Sequence, residues 1–303
     1  MKNLLIIGLA FVFGICTANA QDGVAQDTSW KKGATGALNF NQISLTNWAG
    51  GGENSLAGAL FVTGFANHAK NRFAWDNVAD VSYGLIKPGS DDIRKNEDKF
   101  EINSKAGYRT SETSKWYYTA LGNFKSQFAE GFLYGELPNG QETKVLNSNF
   151  MAPGYFLGAL GMDYKPSDNF TVFISPVTSK FTFVTEDKLS DEGAYGVDPG
   201  ETSRSEFGGY ANARYTVDLK ENINLLSKLD LFSNYGENPD HIDVNLEVLI
   251  AAQLTKFLSA SFGIQALYDH DITVPKTDED NRPGKGTQFK QVIGIGLSHS
   301  IGD

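Results

Sequence analysis

From Trp30 onward the chain alternates apolar and polar residues with a period of two. In Lys99 to Arg109, Phe100, Ile102, Ala106 and Tyr108 share one face, with Lys99, Glu101, Asn103, Lys105 and Arg109 opposite. In His241 to Leu254, Ile242, Val244, Leu246, Val248, Ile250, Ala252 and Leu254 lie against His241, Asp243, Asn245, Glu247 and Gln253. A helix would scatter these residues around its circumference, whereas a strand sorts them onto two faces. The pattern predicts twelve strands: 30–44, 55–69, 72–86, 98–110, 115–129, 154–165, 169–184, 204–219, 223–236, 241–254, 258–270 and 287–301. All are longer than the roughly 5–6 residues of a usual soluble strand. Each can cross a bilayer as a tilted strand of about 9–11 residues.

The connections sharpen this reading. Joins after even-numbered strands are short, at 70–71, 111–114, 166–168, 220–222 and 255–257. Joins after odd-numbered strands are mostly long, at 45–54, 87–97, 130–153, 185–203 and 271–286, with 237–240 the brief exception. Short turns on one rim and long loops on the other are the pattern of an outer-membrane barrel. Aromatic residues fall in two bands. Trp75, Tyr108, Trp116, Tyr118, Tyr164, Phe170 and Tyr215 lie near short turns, and Phe40, Tyr83, Phe100, Phe128, Phe156, Phe183, Phe207, Tyr235, Tyr268 and Phe289 near long loops. Such bands suit the two headgroup layers. The expected fold is therefore all-β: a transmembrane antiparallel barrel of about twelve strands, with ten to fourteen compatible with the pattern. Two segments resist simple alternation. The second strand has Leu56, Leu60 and Val62 on one face and Phe61 and Phe65 on the other. Pro176 interrupts the seventh, marking a bulge or a position above the membrane.

Composition changes the picture at the N-terminus. Lys2, the apolar run Leu4 to Ile15 and Ala18-Asn19-Ala20 read as a cleaved signal peptide over 1–20, then a periplasmic leader over 21–29 and a barrel over 30–303. The single cysteine, Cys16, would leave with the signal, so no disulfide is expected. Loss of Lys2 takes the net charge from −10 to −11, which argues against a nucleic-acid partner. The expected surroundings are outer-membrane lipid and other outer-membrane proteins, with both termini periplasmic.

The segments Gln42 to Ser55 (QISLTNWAGGGENS), Ser175 to Val184 (SPVTSKFTFV) and Asp191 to Val197 (DEGAYGV) resemble a family of uncharacterised outer-membrane barrels of Bacteroidota, domain-of-unknown-function family 3078. The resemblance implies a barrel in the cell envelope and hands over no catalytic residues.

Alternation places eighteen charges towards the lumen. The cations are Lys99, Lys105, Arg109, Lys115, Lys125, Arg214, Lys228 and Lys290. The anions are Asp76, Asp80, Glu101, Asp163, Glu206, Asp218, Asp230, Asp243, Glu247 and Asp269. They could line a narrow polar channel, or pair with one another to fill a closed lumen. Near balance of the two signs tilts the reading towards pairing.

Other chemistry is thin. Gly50-Gly51-Gly52 lacks the Lys-Ser/Thr of a phosphate-binding loop and, with Trp48, forms a candidate partner-facing loop instead. His241, between Asp240 and Asp243, and His270, between Asp269 and Asp271, are the candidates for a rim hydrolase. As rim histidines they read more simply as solvated residues. The acidic loop 185–203 lacks calcium-motif spacing. The expectation is a non-enzymatic barrel with no catalytic residue, metal or cofactor. It would serve as an accessory or scaffold component of an outer-membrane assembly. A narrow passive channel for small polar solutes is the alternative, and a rim hydrolase a remote third.

Overall fold

A computed structural model describes residues 29–44, 54–136, 142–272 and 284–302. Fourteen strands are present among them. Twelve form one closed antiparallel barrel: β1 (Trp30–Ile43), β2 (Ser55–Lys70), β3 (Phe73–Pro88), β4 (Arg94–Arg109), β5 (Trp116–Ser126), β8 (Gly154–Ser167), β9 (Phe170–Phe183), β10 (Ser203–Lys220), β11 (Ile223–Asn234), β12 (Ile242–Gln253), β13 (Leu258–Tyr268) and β14 (Gln288–Gly302). Each pairs with its neighbour in the chain, and β1 closes on β14. Closure leaves no sheet edge, the condition under which strands can cross lipid. The closing joint is the shortest ladder at that seam: β1 pairs β14 over Gly33–Asn39, but pairs β2 over Trp30–Ile43.

The outward face is apolar. Ile293, Ile295 and Leu297 on β14 are 69%, 59% and 57% exposed, alongside exposed Leu60, Ile102, Leu160 and Ile174 on other strands. Such a belt would aggregate in water and is matched to acyl chains. Girdles flank it. Trp30 meets Trp75, Trp116 meets Tyr164 and Phe170 meets Tyr215 towards the short turns; Phe207 meets Tyr235 and Phe156 meets Phe181 towards the long loops.

Both irregular segments have a physical resolution. In β2, Thr63 pairs with Thr35 and donates to Asp80, which fixes it inward, so Phe65 turns into the lumen and Leu56 and Leu60 into lipid. Phe65 lies across Gly33 of β1; a Cβ there would sit 2.6 Å from its ring and 2.9 Å from the Ile301 carbonyl oxygen. In β9 the register shifts against both neighbours around Pro176. The proline, which cannot donate to a ladder, sits in a bulge. The alternation changes phase there. Phe173 and Ser175 face inward before it, Thr178 and Lys180 after it.

Beside shifts of one to three residues at other strand ends, three expectations differ. β4 begins at Arg94 rather than 98, because the charged run that reads as a loop turns alternate side chains inward to partners. The expected loop 130–153 contains a two-stranded hairpin outside the barrel, β6 (Gly131–Glu136) and β7 (Glu142–Ser148). The expected loop 185–203 contains a short helix, α1 (Asp187–Asp191). The two long loops share a small core of Ala152, Val184, Leu189 and Val197.

Candidate functional site: the lumen

Inward side chains of opposite sign meet at several heights. Lys105 Nζ lies 2.9 Å from Asp163, whose side chain is 1% exposed, and Lys165 joins Asp163 at 3.5 Å and Asp76 at 2.7 Å. Near mid-height Lys99 pairs with Glu101 at 2.6 Å, and Asn123 donates to the same carboxylate. Asp230 accepts from Tyr210 and Asn212, and Glu247 from Gln265 at 3.4 Å. Higher still, Lys180 Nζ reaches Asp243 at 2.7 Å, Glu206 at 3.5 Å and Asp269 at 3.7 Å. Arg204 holds Asp271 at 2.6 Å, Glu237 at 3.3 Å and Glu206 at 3.4 Å.

Several of these pairs bridge non-adjacent strands. Lys228 of β11 faces Asp80 of β3 at 3.9 Å, with five strands between them in either direction around the ring. Lys290 of β14 reaches Glu97 of β4 at 2.6 Å. These contacts cross the lumen, so the side chains of opposite walls narrow it. Charges removed from water are tolerable only when so paired and hydrogen-bonded.

One wall is also packed with apolar side chains. Leu121, Ala159, Phe173, Tyr210 and Phe232, from β5 and β8–β11, form a cluster inside the barrel with Leu157 against it. Phe173 is fully buried. The remaining space is a cavity of about 1030 Å³. Its lining runs from Ser29, Lys31 and Asn169 near the short-turn end to Asp269 and Ile272 at the long-loop end.

Of the residues expected in the lumen, Asp76, Asp80, Glu101, Lys105, Arg109, Lys125, Arg214, Lys228, Asp230, Asp243 and Asp269 line this cavity. Lys99, Asp163, Glu206, Glu247 and Lys290 join the ion-pair or hydrogen-bond network around it. Lys115 lies exposed in the turn before β5, and Asp218 accepts from Asn224 near the β10–β11 turn. Glu97, Lys165, Lys180 and Arg204 were not expected. Lys180 hides behind the phase change at Pro176. Lys165 sits at the end of its strand, and Glu97 and Arg204 at positions that read as loop or loop edge. Trp48, Gly50, Gly51 and Gly52 lie outside the described residues, as does the signal segment.

At the long-loop rim the structure stacks His241 on His270, with ring centroids 3.6 Å apart, and Tyr268 Oη lies 3.2 Å from His270 Nδ1. No cluster of three or more His, Cys, Asp or Glu able to hold a metal occurs among the described residues. Tyr195 packs on the shared loop core and donates to the Asn147 carbonyl; burial pushes its phenol up to about 12, so it remains a donor at ordinary pH.

Solved barrels of several activities resemble the whole fold. The outer membrane channel of Pseudomonas putida F1 shares 9% identity, with 93% of this chain and 99% of that one covered and a TM-score of 0.40. The translocator domain of autotransporter NalP from Neisseria meningitidis shares 10%, covering 92% and 90%, at 0.38. The outer membrane protease OmpT of Escherichia coli shares 12%, covering 93% and 100%, at 0.21. A channel, a translocator and a protease at such distance select no activity for this chain. No curated protein matches it. The stretch of sequence that can be assigned runs from the end of β1 into β6. It includes all of Gln42–Ser55 and stops short of Ser175–Val184 and Asp191–Val197. Over residues 40–132 the chain matches the model of an uncharacterised family, described as "Protein of unknown function (DUF3078)".

Proposed function

We propose that this barrel resides in the outer membrane, short turns and termini towards the periplasm, and acts as a narrow passive channel for small polar solutes. The observation that carries the reading is the cavity, whose mixed lining of charged, polar and apolar side chains extends from one rim of the barrel to the other. The exposed apolar belt between aromatic girdles supports the membrane setting. Ion pairs across the lumen make the passage narrow and give it both signs of charge, which favours small neutral or zwitterionic solutes over one class of ion. Purified protein in planar bilayers is expected to give small, ohmic conductance steps. Silent bilayers from protein that retains a heat-dependent gel shift would overturn the channel.

A second reading is an accessory barrel of a larger outer-membrane assembly. The β6–β7 hairpin favours it. It stands apart from the barrel sheet and exposes the cross-strand pair Leu133 and Val145, 47% each. Extraction in mild detergent followed by sizing distinguishes the two: a defined complex that Leu133→Asp disperses supports the accessory role, and a lone barrel removes it.

A further inference from the structure

The short-turn rim holds a second pocket, which shares Arg109 with the lumen cavity. It lies between the β2–β3 turn and the start of the β4–β5 turn, has a volume of about 540 Å³, and is lined by Lys70, Asn71, Arg72, Phe73, Tyr108, Arg109 and Glu112. Phe73 and Tyr108 are cross-strand partners on the outward face, 39% and 51% exposed, so the pocket opens at the girdle where lipid headgroups lie.

Its chemistry is specific. The Arg72 guanidinium lies 4.7 Å from the Tyr108 ring. Its Nε and Nη2 donate to the carbonyls of Arg109 and Thr110 at 2.6–2.9 Å, which fixes the group in place. The Nη1 hydrogens have no acceptor among the described residues. Arg109 is anchored in turn by Tyr117 Oη at 2.8 Å and the Glu112 carbonyl at 3.1 Å. No carboxylate pairs with Lys70, Arg72 or Arg109 among the described residues. Three cations beside a single carboxylate and two aromatic rings complement a phosphate joined to an ammonium. Guanidinium and ammonium groups bind the phosphate oxygens, while the Glu112 carboxylate suits a primary amine.

We infer that this pocket binds the headgroup of a glycerophospholipid, phosphate towards Lys70 and Arg72 and amine towards Glu112. The inference rests on the membrane setting proposed above but not on conduction. Native mass spectrometry of the full chain in micelles, with phosphatidylethanolamine or phosphatidylglycerol added, tests it. The expected result is one retained phosphatidylethanolamine, bound more tightly than phosphatidylglycerol. Lys70→Ala is expected to weaken retention about tenfold, the scale of one charge-assisted hydrogen bond, and Glu112→Gln to abolish the preference between the two lipids. Equal retention by wild type, Lys70→Ala and Arg72→Gln proteins that all keep the heat-dependent shift would overturn the site. Displacement of the lipid by inorganic phosphate at matched concentration would assign the pocket to free phosphate and overturn the lipid. A wild-type chain with no heat-dependent shift would instead sink the membrane barrel itself.

Discussion

The two walls of the lumen are built differently. The wall from β3 through β12 carries the ionisable side chains and the apolar cluster around Phe173. The wall at the seam, β14, β1 and β2, turns inward many small residues: Gly294, Gly296, Ser298 and Ser300, then Gly33, Thr35, Ala37 and Asn39, then Ala57, Ala59 and Thr63, with Phe65 and Lys290 the large exceptions. Thr35, Thr63 and Ser300 stay exposed although they face the lumen, so space remains beside them. Twelve strands enclose more room than the eight of a barrel whose interior side chains fill. This chain fills one side of that room and leaves the other wet. Balanced charge therefore does not imply a sealed lumen, because the paired side chains themselves line a cavity that they leave open beside them.

The largest test of this contrast lies on the filled wall. Lys180→Met strands Asp243, Glu206 and Asp269 around a lost cation, and Glu206 is 4% exposed. It should cost about 3–5 kcal/mol, as removal of one partner from a buried ion pair does, and lower the temperature at which the compact gel band disappears. Next comes the one kind of seam change that should matter. A Cβ on Gly296 would press into the Leu38 carbonyl oxygen. Gly296→Ala should cost about 1–3 kcal/mol by overpacking, read the same way. Between the walls, Asp80→Asn with Lys228→Met removes the bridge across the diameter and should raise single-channel conductance; an unchanged conductance would place the constriction elsewhere. The smallest effect is expected at the seam. Thr35→Ala, which loses only an exposed contact to Ser300, should change stability by less than about 0.5 kcal/mol.

The walls also differ in how far they were legible in the sequence. Strand number, order and the lipid face follow from alternation and loop length, because the bilayer imposes both over every strand. The inner face obeys a looser rule. Leu121, Leu157, Phe173 and Phe232 point inward where alternation leads one to expect polar residues, since part of this lumen is a packed core. Lys180 is invisible to a fixed two-residue period, and Pro176 was the signal that the period would break. Glu97 looks like loop because charge density resembles solvation; only its partners Ser82 and Lys290, the last on a strand distant in sequence, show it to be wall. Cross-lumen pairs such as Lys228 with Asp80 depend on ring order and tilt, which no local pattern encodes.

The closing joint has a kinetic consequence. A ring of twelve ladders must be zipped last somewhere, and it will come undone first where the fewest hydrogen bonds hold it. β1 meets β14 only over Gly33–Asn39, a ladder half the length of the one that joins β1 to β2. Unzipping should begin there, with the amides of Ala34 to Leu38 and Leu297 to Ile301 exchanging with solvent deuterium before those of β3–β4. By the same reasoning the seam is the natural last stitch of assembly, made after the charged wall has already folded around its own partners.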